Sequence, residues 1–270
     1  MSDVTVLAEI NYSRATNERP MFHANDSSLD RLTLDPRVVP ICDARSVQHA
    51  PTLASEGFEL LSCPTAVTDF RDAAQVERLY PAEVERFMLQ LTGADAVVVT
   101  GPAVLRFAER SSEAGSLDNS RAARFVHIDV SDSAAMQFAR SAAPLDGSNF
   151  KRIAQHNIWR TFSPPPQDVP LALCDARTVA TTHLIAADAR FDRDGEIRWQ
   201  FEALLLRYDP GHRWFYFSNM QPDEVVVFKR HDTDTAAPHH VPHSAFTDSR
   251  ARNGAPRASA ELRTIAYWFE

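Results

Sequence analysis

The sequence predicts a mainly β protein, a jelly roll with flanking helices, and three observations point there. From Ile153 onward, short apolar runs of strand length follow one another. Turn chemistry punctuates them at Asp192-Arg193-Asp194-Gly195 and Asp209-Pro210-Gly211. The two stretches with helical periodicity both precede that region. Successive strands joined by turns, with helices ahead of them, fit a jelly roll.

The elements follow in order. A short strand is expected around Val4–Ile10, then polar stretches with scattered prolines. Residues 1–60 read as an N-terminal extension packing on a core at 73–270, with 1–270 as one domain. Phe58–Cys63 reads as a strand. Over Ala73–Leu91, Val76, Tyr80, Val84, Phe87, Met88 and Leu91 share one helical face with charges opposite, which is the pattern of a packing helix. Phe125–Val130 is apolar and β-branched, hence a strand. Ser131-Asp132-Ser133 supplies N-caps for a second helix through Met136 and Phe138, which would seat that strand against the core. Further strands are expected at Leu171–Cys174, Thr182–Ala186, Gln200–Tyr208, Trp214–Phe217, Val225–Phe228 and Leu262–Phe269. The loops at 233–240 and 247–254 are polar and placed to act as lids.

A chain of 270 residues can bury a substantial core. Its net charge of −8 and pI near 5.7 argue against nucleic acid or an anionic membrane as partner, leaving a small molecule. Cys42, Cys63 and Cys174 show no pairing or metal spacing, as expected of reduced thiols. No basic-then-apolar leader and no bilayer-length apolar run is visible, so a cytoplasmic location is expected.

The chemistry concentrates in a few motifs. In His127-Ile128-Asp129 the first and third residues of a strand point the same way, about 6.5 Å apart at ~3.3 Å per residue. Val126, Ile128 and Val130 then form an apolar opposite face. Alone, His-x-Asp reads most simply as a surface pair. A distant His243, in Pro242-His243-Ser244-Ala245-Phe246, changes the reading. Two histidines and one carboxylate make the face that holds Fe(II) with three positions open. His239 and His240 are alternative distal ligands.

Arg257, Ser259, Glu261 and Arg263 share one strand face, and Ala258, Ala260, Leu262 and Ala266 share the other. Arginine offers a carboxylate a two-pronged grip, and a hydroxyl two residues on can add a bond. Taken singly, Arg257 would be a surface salt bridge. His156-Asn157-Ile158-Trp159-Arg160 is the densest polar–aromatic string. In it Arg160 is a candidate for a co-substrate or substrate carboxylate, and Asn157, with Arg263, for substrate contact. Trp159 reads equally well as core, and His156 as a surface or outer-sphere residue.

In this order, His-x-Asp, a distal His and Arg-x-Ser resemble the Fe(II)/2-oxoglutarate-dependent oxygenases, whose fold is a double-stranded β-helix of cupin-like type. Longer strings resemble one branch, the hydroxylase/desaturase family that includes gibberellin desaturase and the cephamycin methoxylation-assisting protein. They are Tyr80-Pro81-Ala82-Glu83-Val84-Glu85, Leu91-Thr92-Gly93-Ala94, His156 to Arg160, Asp168-Val169-Pro170-Leu171-Ala172-Leu173-Cys174-Asp175, Tyr208 to Tyr216, Pro222-Asp223-Glu224-Val225 and Pro242 to Phe246. The likeness runs from about 57 to 268. One departure is Thr100-Gly101-Pro102, where relatives tend to carry a His shortly before the arginine retained here as Arg106.

The resemblance implies Fe(II) on His127, Asp129 and His243. It prefers His243 over His239 and His240 through the family string and the spacing to Arg257-Ala258-Ser259. It implies 2-oxoglutarate, the co-substrate, on Arg257 and Ser259, with O2 consumed and a small natural product or amino acid hydroxylated, desaturated or cyclised. Two other readings stay open: a cupin-type metalloenzyme not using 2-oxoglutarate, and an accessory protein that binds a partner methyltransferase.

Overall fold

The computed structural model describes residues 4–144, 149–193 and 196–270. Its strands are β1 (Thr5–Ser13), β2 (Met21–His23), β3 (Leu34–Asp43), β4 (Phe58–Ser62), β5 (Ala96–Val99), β6 (Val104–Phe107) and β7 (His127–Ile128). They continue with β8 (Phe150–Thr161), β9 (Leu171–Cys174), β10 (Leu184–Arg193), β11 (Glu196–Leu206), β12 (Trp214–Tyr216), β13 (Glu224–Asp232), β14 (His243–Ala245) and β15 (Ala258–Phe269). Two helices, α1 (Ala73–Thr92) and α2 (Asp132–Ala142), complete the set.

The strands form two sheets. The larger runs β1-β3-β12-β9-β14-β7-β11-β10-β2, and the smaller runs β4-β13-β8-β15-β5, with β6 also paired to β15. Their inner faces meet in one core: Phe58, Trp159, Val226 and Phe228 of the smaller sheet pack on Leu171, Leu173 and Phe217 from the other side. This is the jelly-roll arrangement, whose two faces enclose a space between strands.

Helix α1 covers the outer face of the smaller sheet. The periodicity read from sequence puts Val76, Tyr80, Val84 and Met88 against Ile158, Val225, Val227, Ala260 and Leu262. Asp72 caps its start by accepting from the Gln75 N–H, and Gly93, at φ 62°, closes it in the left-handed conformation. Helix α2 starts on Ser131, whose hydroxyl accepts from the Ala134 N–H. It packs Ala139 against Ile153, Ile265 and Tyr267, and the Tyr267 hydroxyl donates to the Ala139 carbonyl at 2.8 Å. Among the described residues no helix is long and apolar enough to cross a membrane.

The extension expected over 1–60 supplies β1, β2 and β3, which stand at both edges of the larger sheet. Of these only β1 alternates regularly between exposed and buried residues; β3 pairs in register with β12 and β2 with β10. Two expectations change. The strand carrying His127 is only two residues long, since the chain turns at Asp129 to enter α2. The strand expected from Thr182 starts at Leu184, after a 3-10 turn over Thr181–His183. Asp209 accepts from the Gly211 N–H at 2.7 Å, as a turn there requires. Asp194 and Gly195 of the other expected turn lie outside the described residues.

Candidate metal centre

Strands β7 and β14 are neighbours, and His127 and His243 stand directly opposite one another across them. Both side chains face the space between the sheets and are buried; their ring centroids lie 4.3 Å apart. Val126, Ile128 and Val130 are buried on the other side, as the alternation of the strand predicts. Each imidazole is oriented by the backbone two residues before it. His127 Nδ1 lies 3.1 Å from the Phe125 carbonyl and His243 Nδ1 lies 3.1 Å from the Val241 carbonyl. Only a protonated Nδ1 can donate there, which leaves the Nε2 lone pair of each ring directed at the centre.

Asp129 completes the group. Its Oδ1 lies 3.7 Å from His127 Nε2 and 4.0 Å from His243 Nε2, and one donor atom from each of the three falls within 4.8 Å of the others. Donors at right angles around an ion bonded at ~2.1 Å would sit about 3 Å apart. The three groups therefore need to close by an ångström or so to share a cation. The other oxygen, Oδ2, is taken: the Asn157 amide donates to it at 2.5 Å, and Arg230 Nε lies 3.1 Å away as an ion pair. The carboxylate is thus turned so that one oxygen is anchored and the other is free for a metal.

The electrostatics favour ligation. Burial alone would raise the Asp129 carboxyl, but Arg230 first, then His243, Arg263 and His127, hold it well below the usual carboxylate range. Burial, helped by His243 and opposed by Asp129, pushes His127 down to about 3, and burial likewise lowers His243. At neutral pH the group is one carboxylate and two neutral imidazoles, the protonation state a metal requires.

Arg230 has no counterpart in the sequence reading. It lies at an irregularity in the pairing of β13 with β8, where Lys229 pairs with His156 and His231 pairs with Gln155. The extra residue breaks strict alternation, so Arg230 reaches Asp129 while Lys229 and Asp232 pair with each other at 2.7 Å elsewhere.

Arg257, directly before β15, is 2 % exposed, and its Nε and Nη2 have no hydrogen-bond partner. Its guanidinium lies 5.7 Å from the centroid of the Trp159 ring. Burial first, then repulsion from Arg106 and Arg124, pushes it down to about 9. Trp159 packs with Phe228, whose ring centroid lies 4.7 Å from that of His243, so Arg257 and the histidines border one interior. A buried cation with free donors is a costly arrangement that an anion relieves. A carboxylate is what this geometry fits, two N–H groups on one side of a planar fork.

Other expected residues fare differently. Ser259 is buried two residues on, but its hydroxyl already donates to the Arg106 carbonyl at 3.2 Å. Arg263 ion-pairs with Glu261 at 2.8 Å and lies opposite Asn157 in register, beside the carboxylate of Asp129. Asn157 grips Asp129 and so orients a ligand of the centre. Arg160, expected at a substrate or co-substrate carboxylate, is a correction. Alternation along β8 puts it on the outer face with Ile158, beneath α1. There Nε donates to the Tyr80 hydroxyl at 2.9 Å, Nη1 to the Pro222 carbonyl at 3.2 Å and Nη2 to the Cys63 carbonyl at 2.8 Å. Its donors are spent on the fold. Trp159, one residue away, faces inward beneath Arg257. His156 is buried, beside Lys229 and Asp232, and His239 and His240 belong to a separate group around Asp132.

A protein-family profile described as "Oxidoreductase/YMDC permease-like domain" matches residues 10–267. The chain belongs to this family. A relative from Aspergillus novofumigatus, the Fe(II)/2-oxoglutarate-dependent dioxygenase nvfI, is 28% identical, covering 86% of this chain and 84% of its own. The hydroxylase/desaturase efuI of Hormonema carpetanum is 27% identical over 98% of this chain and 95% of its own. The hydroxylase/desaturase asaB of Aspergillus flavus is 37% identical, but across 42% of this chain and 54% of its own. The structure of the iron and alpha-ketoglutarate-dependent endoperoxidase NvfI superposes with a TM-score of 0.80 at 23% identity, covering 98% of this chain and 99% of that one, so the fold is shared. These relatives are named as enzymes, and this chain is an oxidoreductase of jelly-roll fold.

Proposed function

We propose that this protein is a single-domain Fe(II)- and 2-oxoglutarate-dependent oxygenase that hydroxylates, desaturates or cyclises a small natural-product or amino-acid substrate. His127, Asp129 and His243 would hold the iron. The observation that carries this reading is the convergence of three metal-ready donors in the same interior as a buried guanidinium whose N–H groups have no partner. The names of the relatives agree with it.

Bound Fe(II), with 2-oxoglutarate and O2, supplies an oxidant able to take hydrogen from an unactivated C–H bond while the keto acid leaves as succinate and carbon dioxide. The protein's own part is positioning. The Phe125 and Val241 carbonyls hold the two imidazoles in the ligating tautomer. Asn157 and Arg230 fix one oxygen of Asp129, so the other cannot rotate away. Arg257 takes the far carboxylate of the keto acid through Nε and Nη2, stacked over Trp159. Ser259 supports that end through its bond to the strand of Arg106 and does not supply a free donor. Phe228, 4.7 Å from the His243 ring, and Phe22 and Phe125, within 6.5 Å of His127, keep water from the histidine side. Arg263, partly exposed beside the centre, is the residue placed to meet a polar group of the substrate.

The unpaired Arg257 favours this reading over a cupin-type enzyme that needs no keto acid. The test is succinate release from purified chain supplied with Fe(II), 2-oxoglutarate and a panel of small molecules. Turnover is expected to depend on both additives and to vanish in His127→Ala. Succinate formation that persists in that variant would overturn the assignment.

A further inference from the structure

A second group of donors lies outside the centre just described: Asp132, His231, His239 and His240. Asp132 Oδ1 is its hub, 2.9 Å from His239 Nε2, 3.1 Å from His240 Nε2 and 3.3 Å from His231 Nδ1. One atom from each residue lies within 4.8 Å of the rest. A tetrahedral ion bonded at 2.0–2.1 Å places its ligands about 3.3 Å apart, so the carboxylate–imidazole distances are already those of such a site.

The hydrogen bonding points the same way. His231 is 3 % exposed, and neither of its ring nitrogens has a hydrogen-bond partner. Nε2 of His240, at 8 % exposure, has none either. Both lie beside Asp132 Oδ1 without a hydrogen bond to it, which His239 Nε2 alone of the three makes, at 2.9 Å. Buried polar atoms are almost always satisfied, and two unsatisfied imidazoles beside one carboxylate call for a shared partner. A water molecule could bridge two such groups, but three imidazoles and a carboxylate match the ligand number and type of a closed zinc site. Asp132, its side chain 67 % exposed, leaves an entry path from solvent.

We propose that Asp132, His231, His239 and His240 form a second metal site, taking one divalent cation of zinc type in a closed four-coordinate arrangement. It would be structural, with every position filled by protein. Its ligands lie on the three segments that carry the first centre. Asp132 opens α2 three residues after Asp129, His231 follows Arg230 at the pairing irregularity of β13, and His239 and His240 precede His243 by four and three residues. An ion here would pin the 233–242 loop to the start of α2 and hold both halves of the catalytic face in register.

The test uses the full chain stripped of metal by chelator and titrated with Zn(II), and with Co(II) as a visible-absorption probe of coordination. The double variant His127→Ala/His243→Ala removes the first centre. It is expected to retain one equivalent of tightly bound Zn(II) and to give the strong absorption of four-coordinate Co(II). In that background Asp132→Asn or His239→Ala, both changes at exposed side chains, should weaken binding by at least about 100-fold, the upper end of the cost of losing a mere outer-sphere partner. Proteolysis within 233–242 should slow on adding Zn(II) and not in those variants. If the double variant fails to fold, stoichiometry in the otherwise native chain decides, at two equivalents against one after His239→Ala. No tight Zn(II) in the double variant, or binding indifferent to Asp132 and His239, overturns the proposal. The Fe(II)-dependent succinate assay is a separate readout and can fail or succeed independently.

Discussion

Replacing Arg257 with methionine should move stability and ligand binding in opposite directions. Without ligand, the guanidinium is 2 % exposed with Nε and Nη2 unpaired, and an unsatisfied buried charged group costs at least about 1–3 kcal/mol. Methionine keeps an apolar stem over Trp159 and removes that cost. For a chain of this size, each kcal/mol moves the melting temperature by roughly 2–4 °C, so the variant should melt roughly 2–12 °C above the native chain when neither is liganded. Two charge-assisted bonds to a carboxylate are lost, and even after desolvation is offset about 3 kcal/mol, or roughly 100-fold in affinity, goes with them. At 2-oxoglutarate concentrations about 100 times the native dissociation constant, the native protein gains ~2.7 kcal/mol, a rise of roughly 5–10 °C. The variant, then near its own dissociation constant, should rise by about 1 °C. The assay is thermal unfolding of metal-loaded protein under anaerobic conditions, with and without the keto acid. An unliganded variant that melts well below the native chain yet shows the full ligand-induced rise would refute the reasoning, since Arg257 would then be a structural cation and not a carboxylate anchor.

Asn157→Leu frees one oxygen of Asp129 and should weaken Fe(II) or Co(II) binding by roughly 10–100-fold, read by equilibrium titration, with the fold intact by circular dichroism. Arg160→Met strips the hydrogen bonds to Tyr80, Cys63 and Pro222 and should lower unfolding stability by roughly 3 kcal/mol in a denaturant titration, while the KM for 2-oxoglutarate of the folded variant stays unchanged. His156 is buried and pushed down to about 3, by burial first and then by Lys229. Its folded pKa lies below its unfolded value, so its contribution is fully present above pH ~6.5 and is lost as pH falls toward 3, by roughly 1.4 kcal/mol per unit. His156→Leu should flatten that part of the stability–pH curve, measured by urea unfolding at several pH values.

The site was legible wherever the chemistry follows the chain locally. His127 and Asp129 are two residues apart, so the chain carries both to one place even though the strand ends at Ile128 and the chain bends at Asp129. The helical face of Val76, Tyr80, Val84 and Met88 needs only a period of 3.6. Arg160 was misplaced because the string around it is dense in functional types, and nothing in the string says which parity faces the interior. Trp159 and Asn157 look inward, so alternation sends Arg160 to α1. Ile158 marks the helix-facing side, and the same parity assigns Arg160 to it.

Arg230 was invisible for a deeper reason. Alternation along Val225–Phe228 fixes which residues face the core, but an inserted residue in the ladder resets the parity for those beyond it, and no local composition announces the insertion. Lys229-Arg230-His231-Asp232 lies between the expected strand Val225–Phe228 and the polar loop 233–240. In the fold all four are buried, the outer two paired together and the inner two delivered to separate donor groups, Arg230 to Asp129 and His231 to Asp132. One irregularity in strand pairing therefore determines the charge around the Asp129 carboxylate. It is a property of how β13 meets β8, a partner some 70 residues earlier, and only long-range register could have disclosed it.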